Sequence, residues 1–95
     1  MRQYELVAVF PIEEDQHKAG REKLLADLSA ASVQVEKTDE MGDRDFAYEI
    51  DKRRRGKYVL FTINAEPQAV TTLDKAFKLN ANLIRYLIVT PERRK

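Results

Sequence analysis

No cysteine occurs in the chain. That excludes a disulfide framework, a thiolate metal site and a cysteine nucleophile, and it fits a reducing cytoplasm. Histidine occurs once, at His17. With no second histidine or cysteine to share a metal, His17 is expected to be a solvent-facing filler on a charged helical stretch. Gly-rich phosphate loops, Gly-x-Ser-x-Gly and His-Glu-x-x-His are all missing. No apolar run approaches the roughly 20 residues a membrane span needs, and the opening MRQYELVAVF has no secretory pattern. The expectation is a soluble cytoplasmic protein that is not an enzyme, with no cofactor, no metal, no membrane contact and no small-molecule substrate.

What is present is one core's worth of apolar residues and an excess of charge. The 95 residues are 43% hydrophobic, so a single domain over 1–95 is expected, with 92–95 as a frayed tail. Charged residues make up 35%, above the usual quarter or so, yet the net charge is only +1. An electrostatic partner would therefore recognise a local patch, not the total.

Periodicity orders the elements. Arg2 to Phe10 reads as a strand stopped by Pro11. Residues 13–31 read as a helix, with Leu24, Leu28 and Ala31 on one stripe and Asp15 as its cap. Glu13, Glu14 and Asp15 are consecutive and do not converge; helix-end electrostatics accounts for them. Val33 to Lys37 is a second strand, followed by a polar stretch with a bulge or bend at Gly42 and renewed strand character in FAYEI. A basic bend turning at Gly56 leads into a strand from Tyr58 to Ile63. Pro67 opens a helix striped by Val70, Leu73 and Phe77, which Asn80 and Asn82 end. Leu83 to Thr90 is the last strand, closed by Pro91. The order β-α-β-β-α-β predicts an α+β, ferredoxin-like sandwich: a four-stranded antiparallel sheet with two helices on one face. Acylphosphatases share that topology, but where they carry an anion loop this chain reads FPIEEDQ, which repels anions.

Two helices leave one sheet face open, and that face should be polar. Here it keeps large aliphatics. Val7, Val9, Leu60, Leu87 and Val89 are assigned to it by alternation. They are either scattered surface apolars or a contiguous patch that a partner protein covers. RNA-recognition motifs stack bases on such a sheet, but their third-strand signature fails here: Lys57, Tyr58 and Val59 stand at the aromatic, small and aromatic positions. Base stacking on the sheet is not expected.

Lys52, Arg53, Arg54, Arg55 and Lys57 crowd the bend. They are either a solvated turn that aids solubility or a set of phosphate contacts, since arginine forks match phosphate oxygens. Arg2, Arg44, Arg85 and the terminal Arg93, Arg94 and Lys95 could extend the footprint.

The stretches MRQYE, VEK and GDRDFAYEIDKRRRGKYVLF resemble the bacterial small-subunit ribosomal protein S-six family. Gly42, Arg44, Ala47, Tyr48, Ile50, Lys52, Gly56 and Tyr58 match its second and third strands, and Asn82 and Arg85 match its last. Phe46, Glu49 and Asp45 depart from the usual leucine, proline and basic residue. The resemblance implies the fold already read, a cytoplasmic ribosome-associated protein, docking of ribosomal protein S-eighteen and binding of the central domain of small-subunit ribosomal RNA. The candidate RNA contacts are Arg2, Arg44, Lys52, Arg53, Arg54, Arg55, Lys57 and Arg85. The candidate partner contacts are Val7, Val9, Leu60, Leu87 and Val89. The alternative is a ferredoxin-like protein-binding adaptor that touches no RNA.

Overall fold

Tyr4, Leu6, Ala8 and Phe10 are buried and share one face of strand β1 (Arg2–Phe10), as a period of two requires. The computed structural model describes residues 2–50 and 52–90. After β1 come α1 (Glu14–Ala30), β2 (Gln34–Ile50), β3 (Arg53–Ala65), α2 (Pro67–Lys78) and β4 (Arg85–Val89). The sheet order is β2-β3-β1-β4, every pair antiparallel. The core lies between the sheet and the helices. Val59, Phe61, Ile63 and Ala65 of β3 join the β1 set against Leu24 and Leu28 of α1 and Ala69, Leu73 and Phe77 of α2. Each large side chain buried there contributes on the order of 1.5–3 kcal/mol. This is the expected ferredoxin-like α+β architecture.

Several local expectations are corrected. Asp15 does not cap α1. The N-cap is Glu13, in an extended conformation and without a side-chain cap bond, while Glu14 and Asp15 lie in the first turn, where their charge suits the helix dipole. His17 is half-buried rather than a surface filler. Its ring packs 5.3 Å from that of Phe10, and its Nε2 is buried with no hydrogen-bond partner among the described residues. Gly20 is a packing site: a Cβ there would lie 2.3 Å from the Asn82 carbonyl oxygen. Asn80 ties the same place together. Its Nδ2 donates to the Gly20 carbonyl and its Oδ1 accepts from the Asn82 amide, both at 3.0 Å.

The β2–β3 hairpin also differs from expectation. β2 is one strand of 17 residues rather than two pieces, with register shifts between Val35 and Lys37, Glu40 and Gly42, and Asp45 and Ile50. The bulge expected at Gly42 is there, with φ +84°. The reversal is not at Gly56. Lys52, with φ 64°, occupies the turn, and Gly56 is buried inside β3 opposite Arg44. β4 is shorter than expected; Leu83 is buried in the core and the Ile84 amide donates to the Val9 carbonyl at 2.8 Å before pairing begins. The stop at Pro91 and the tail with Arg93, Arg94 and Lys95 lie outside the described residues.

Candidate protein and nucleic-acid interface

Register sorts the open face into rows across the sheet. Next to the hairpin, Arg44 pairs with Gly56. The next row is Gly42, Tyr58, Val9 and Arg85, and beyond it Asp39, Leu60, Val7 and Leu87. Lys37, Thr62, Glu5 and Val89 follow, then Gln34, Asn64 and Gln3. With strands about 4.8 Å apart, Leu60, Val7 and Leu87 form one continuous apolar row. All five predicted partner residues lie on this face, and Leu87 is 60% exposed. Val9 differs from the others. It is 4% exposed, because Phe46 folds back from β2 over Gly56 and Val9. A Cβ on Gly56 would stand 2.7 Å from Phe46 Cζ and 2.5 Å from Val9 Cγ1, so the missing side chain is what lets the ring lie there.

Sequence reading missed this ring. Phe46 meets Tyr58 with centroids 6.4 Å apart, and the Arg44 guanidinium sits 5.9 Å from the Tyr58 centroid. The signal available was Tyr58, whose alternation with Val59 puts it on the open face. Phe46 shares the open face with Arg44, two residues before it, but nothing local announces that its ring lies over Gly56, because that depends on the pairing of β2 with β3.

The predicted cations divide between the two faces. Arg53, Arg55 and Lys57 project toward the helix side, and each meets a carboxylate of this chain. Arg53 donates to Glu13 at 3.0 Å and to Gln16 Oε1 at 2.9 Å. Arg55 lies 2.9 Å from Asp45, and Lys57 lies 3.1 Å from Asp43. Backbone hydrogen bonding, and after it the Arg53 side chain, hold the Glu13 carboxyl below its ordinary range. Alternation puts Arg54 on the open face with Arg44 and Arg85. Those three, and Lys52 in the turn, form no ion pair among the described residues. Arg2 is not brought to the hairpin. It pairs with Ala65 at the other end of β1, roughly 26 Å away at about 3.3 Å per residue.

No group of His, Asp and Glu among the described residues could hold a metal ion, and no helix is long and apolar enough to cross a membrane.

An apolar row bordered on the same sheet face by cations that form no ion pair among the described residues is what a two-partner protein would need, and comparison with known proteins is direct. The family model described as ribosomal protein S6 matches residues 3–90. The chain belongs to the ribosomal protein S6 family. A small ribosomal subunit protein bS6 of Treponema denticola is 48% identical over 92 residues, covering 97% of this chain and 99% of the relative. That of Exiguobacterium sibiricum is 39% identical over 95 residues. A crystal structure of ribosomal protein S6 from Thermotoga maritima superimposes with TM-score 0.85 at 22% identity, covering 97% of this chain and 89% of that one, and shows the shared fold. The resemblance found in the sequence is thereby established. Members of the S6 family are structural ribosomal proteins, associated with the ribosome in the cytoplasm, and not enzymes; this chain is one of them.

Proposed function

We propose that this S6-family chain is one ferredoxin-like domain that helps build the small ribosomal subunit by binding the central domain of its RNA together with ribosomal protein S-eighteen. The observation that carries the reading is the row Leu60, Val7 and Leu87, flanked on the same face by Arg44, Arg54 and Arg85. Val89 extends the apolar row, and Val9 supports it from beneath Phe46. Aliphatics in one strip that range from half-buried to exposed favour coverage by another polypeptide, while arginines with no ion pair among the described residues favour phosphate oxygens. Lys52 adds to that set from the turn. Arg53, Arg55 and Lys57 contribute to RNA binding only where phosphate displaces their carboxylate partners. Arg2, at the far end of the sheet, would touch a separate stretch of RNA.

The self-paired cations favour one second reading, a protein-binding adaptor without RNA contact. Sedimentation through sucrose at low and high salt separates the two. The ribosomal reading expects the protein in the small-subunit peak. In reconstitution from purified parts it expects retention of the central-domain RNA by the chain and S-eighteen that weakens as salt rises. Co-sedimentation lost at every salt concentration, together with intact association with S-eighteen alone, would establish the adaptor instead.

A further inference from the structure

Three of the five cations between residues 52 and 57 are already satisfied inside the chain, and their partners come from separate elements: Glu13 from the start of α1, Asp43 and Asp45 from β2. All three lie on the helix side of the hairpin. The open side keeps its positive charge. Coincidence of composition does not require this division, because β3 alternates strictly from Arg53 to Lys57 and each carboxylate falls where cross-strand register or the α1 N-terminus sets it opposite a helix-side cation.

We propose that Glu13, Asp43 and Asp45 are specificity-determining residues for RNA: they occupy Arg53, Arg55 and Lys57 as stand-ins for phosphate, so that RNA is met first by Lys52 and the open-face arginines. The inference rests on the RNA reading above. Its physics is competitive. A phosphate that takes Arg53 must release Glu13, and the freed carboxylate again collects a counterion. Net ion release at a masked cation is thus close to zero, whereas an unmasked cation contributes about 0.7–0.9 to the slope of log affinity against log salt. Random polyanions gain little from the masked side. An RNA shaped to press several phosphates on the helix side at once can displace the masks together, because a multivalent contact outcompetes isolated surface pairs that are each worth only about 0–1 kcal/mol.

The test uses the full chain in complex with S-eighteen and two probes, the central-domain RNA and a random-sequence RNA of equal length, titrated at several salt concentrations. Glu13→Gln, Asp43→Asn and Asp45→Asn each remove one mask. Glu14→Gln removes the same charge from an adjacent carboxylate that pairs with none of these cations, and serves as the control. Each unmasking variant is expected to tighten random RNA by about two- to five-fold near 0.1 M salt and to steepen its slope by about 0.7–0.9, narrowing the preference for the central-domain RNA. Glu14→Gln should leave the slope where it was. Arg53→Gln should barely change the wild-type slope, yet flatten it by about 0.7–0.9 when Glu13→Gln is already present. If Arg53→Gln costs the wild type as much slope as Arg54→Gln, or if Glu14→Gln acts like Glu13→Gln, the carboxylates are not masks and the inference is overturned. If the wild-type complex retains neither RNA at any salt, the RNA reading itself fails, which is a different and recognisable result.

Discussion

Gly20 reverses the usual arithmetic of glycine in a helix. In an exposed helix interior, replacing glycine by alanine gains roughly 0.5–1 kcal/mol by restricting the unfolded chain. Here the added methyl would meet the backbone of Asn82, with the carbonyl oxygen 2.3 Å away, and backbone does not yield cheaply. Gly20→Ala is therefore expected to destabilise by about 1–3 kcal/mol, as overpacking does, read as a lower urea midpoint at unchanged slope. Asn80→Ala should cost a similar amount, about 1–3 kcal/mol, by orphaning the Gly20 carbonyl and the Asn82 amide. An unchanged midpoint for either variant would mean that the α1–Asn82 contact is looser than its geometry. His17 gives a second expectation at this scale. Burial, followed by repulsion from Arg21 and Lys57, lowers its pKa from the ordinary 6.5, against weaker support for the charge from Glu40 and Asp43. The unfolded chain then binds a proton that the folded chain refuses between the lowered value and 6.5. Stability should be undiminished above pH 6.5 and should fall as pH drops through that window. His17→Gln should flatten this part of the curve in denaturant melts; an identical slope in both proteins would show that the ring protonates freely in the fold.

At the level of elements, legibility followed burial. β1, the later part of β3 and the stripe of α2 were readable because one face of each packs on the core, and packing imposes a period of two or of 3.6. β2 was not readable as one strand. It is an edge strand, exposed along nearly its whole length, so no burial writes an alternation into Gln34–Ile50. Its charges suit an edge that must not pair further. A glycine amid a basic run reads as a turn because it tolerates φ > 0, but Lys52 takes the positive φ and Gly56 instead makes room for Phe46. The faces of Val7, Leu60 and Leu87 could be read from alternation alone, while the pairing of Arg53, Arg55 and Lys57 could not, since it depends on register and on where α1 begins. The room made at Gly56 can be tested. Gly56→Ala should push Phe46 off Val9 and cost about 1–3 kcal/mol by overpacking, and Phe46→Ala in the same chain should recover part of that loss, since the flexible ring is one of the two groups in the way. Strict additivity of the two changes would place Phe46 elsewhere than over Gly56.

For the molecule as a whole, the proposed function makes stability and assembly draw on opposite faces of one sheet. The helix side holds the core, and Leu6, Val59, Phe61 and Leu73 are fully buried there. The open side carries the apolar row that a partner would finish burying. Leu87 separates the two functions best, because it sits on the short edge strand β4 and is 60% exposed in the free chain. Leu60 lies on β3, two strands over from β4 and inside the sheet, and is half-buried, so a change there disturbs the fold as well. Leu87→Asp should consequently leave the urea midpoint of the isolated chain within about 0.5 kcal/mol of wild type, as exposed substitutions do. If the proposed partner covers this face, association with S-eighteen should weaken by about 2 kcal/mol or more, because a carboxylate at the β4 end of the covered apolar row is left without a partner. Leu60→Asp should lower both quantities. Calorimetric titration of the two variants against S-eighteen, set beside their melts, decides it: a Leu87→Asp chain that binds like wild type moves the partner surface off the open face, whatever Leu60→Asp does.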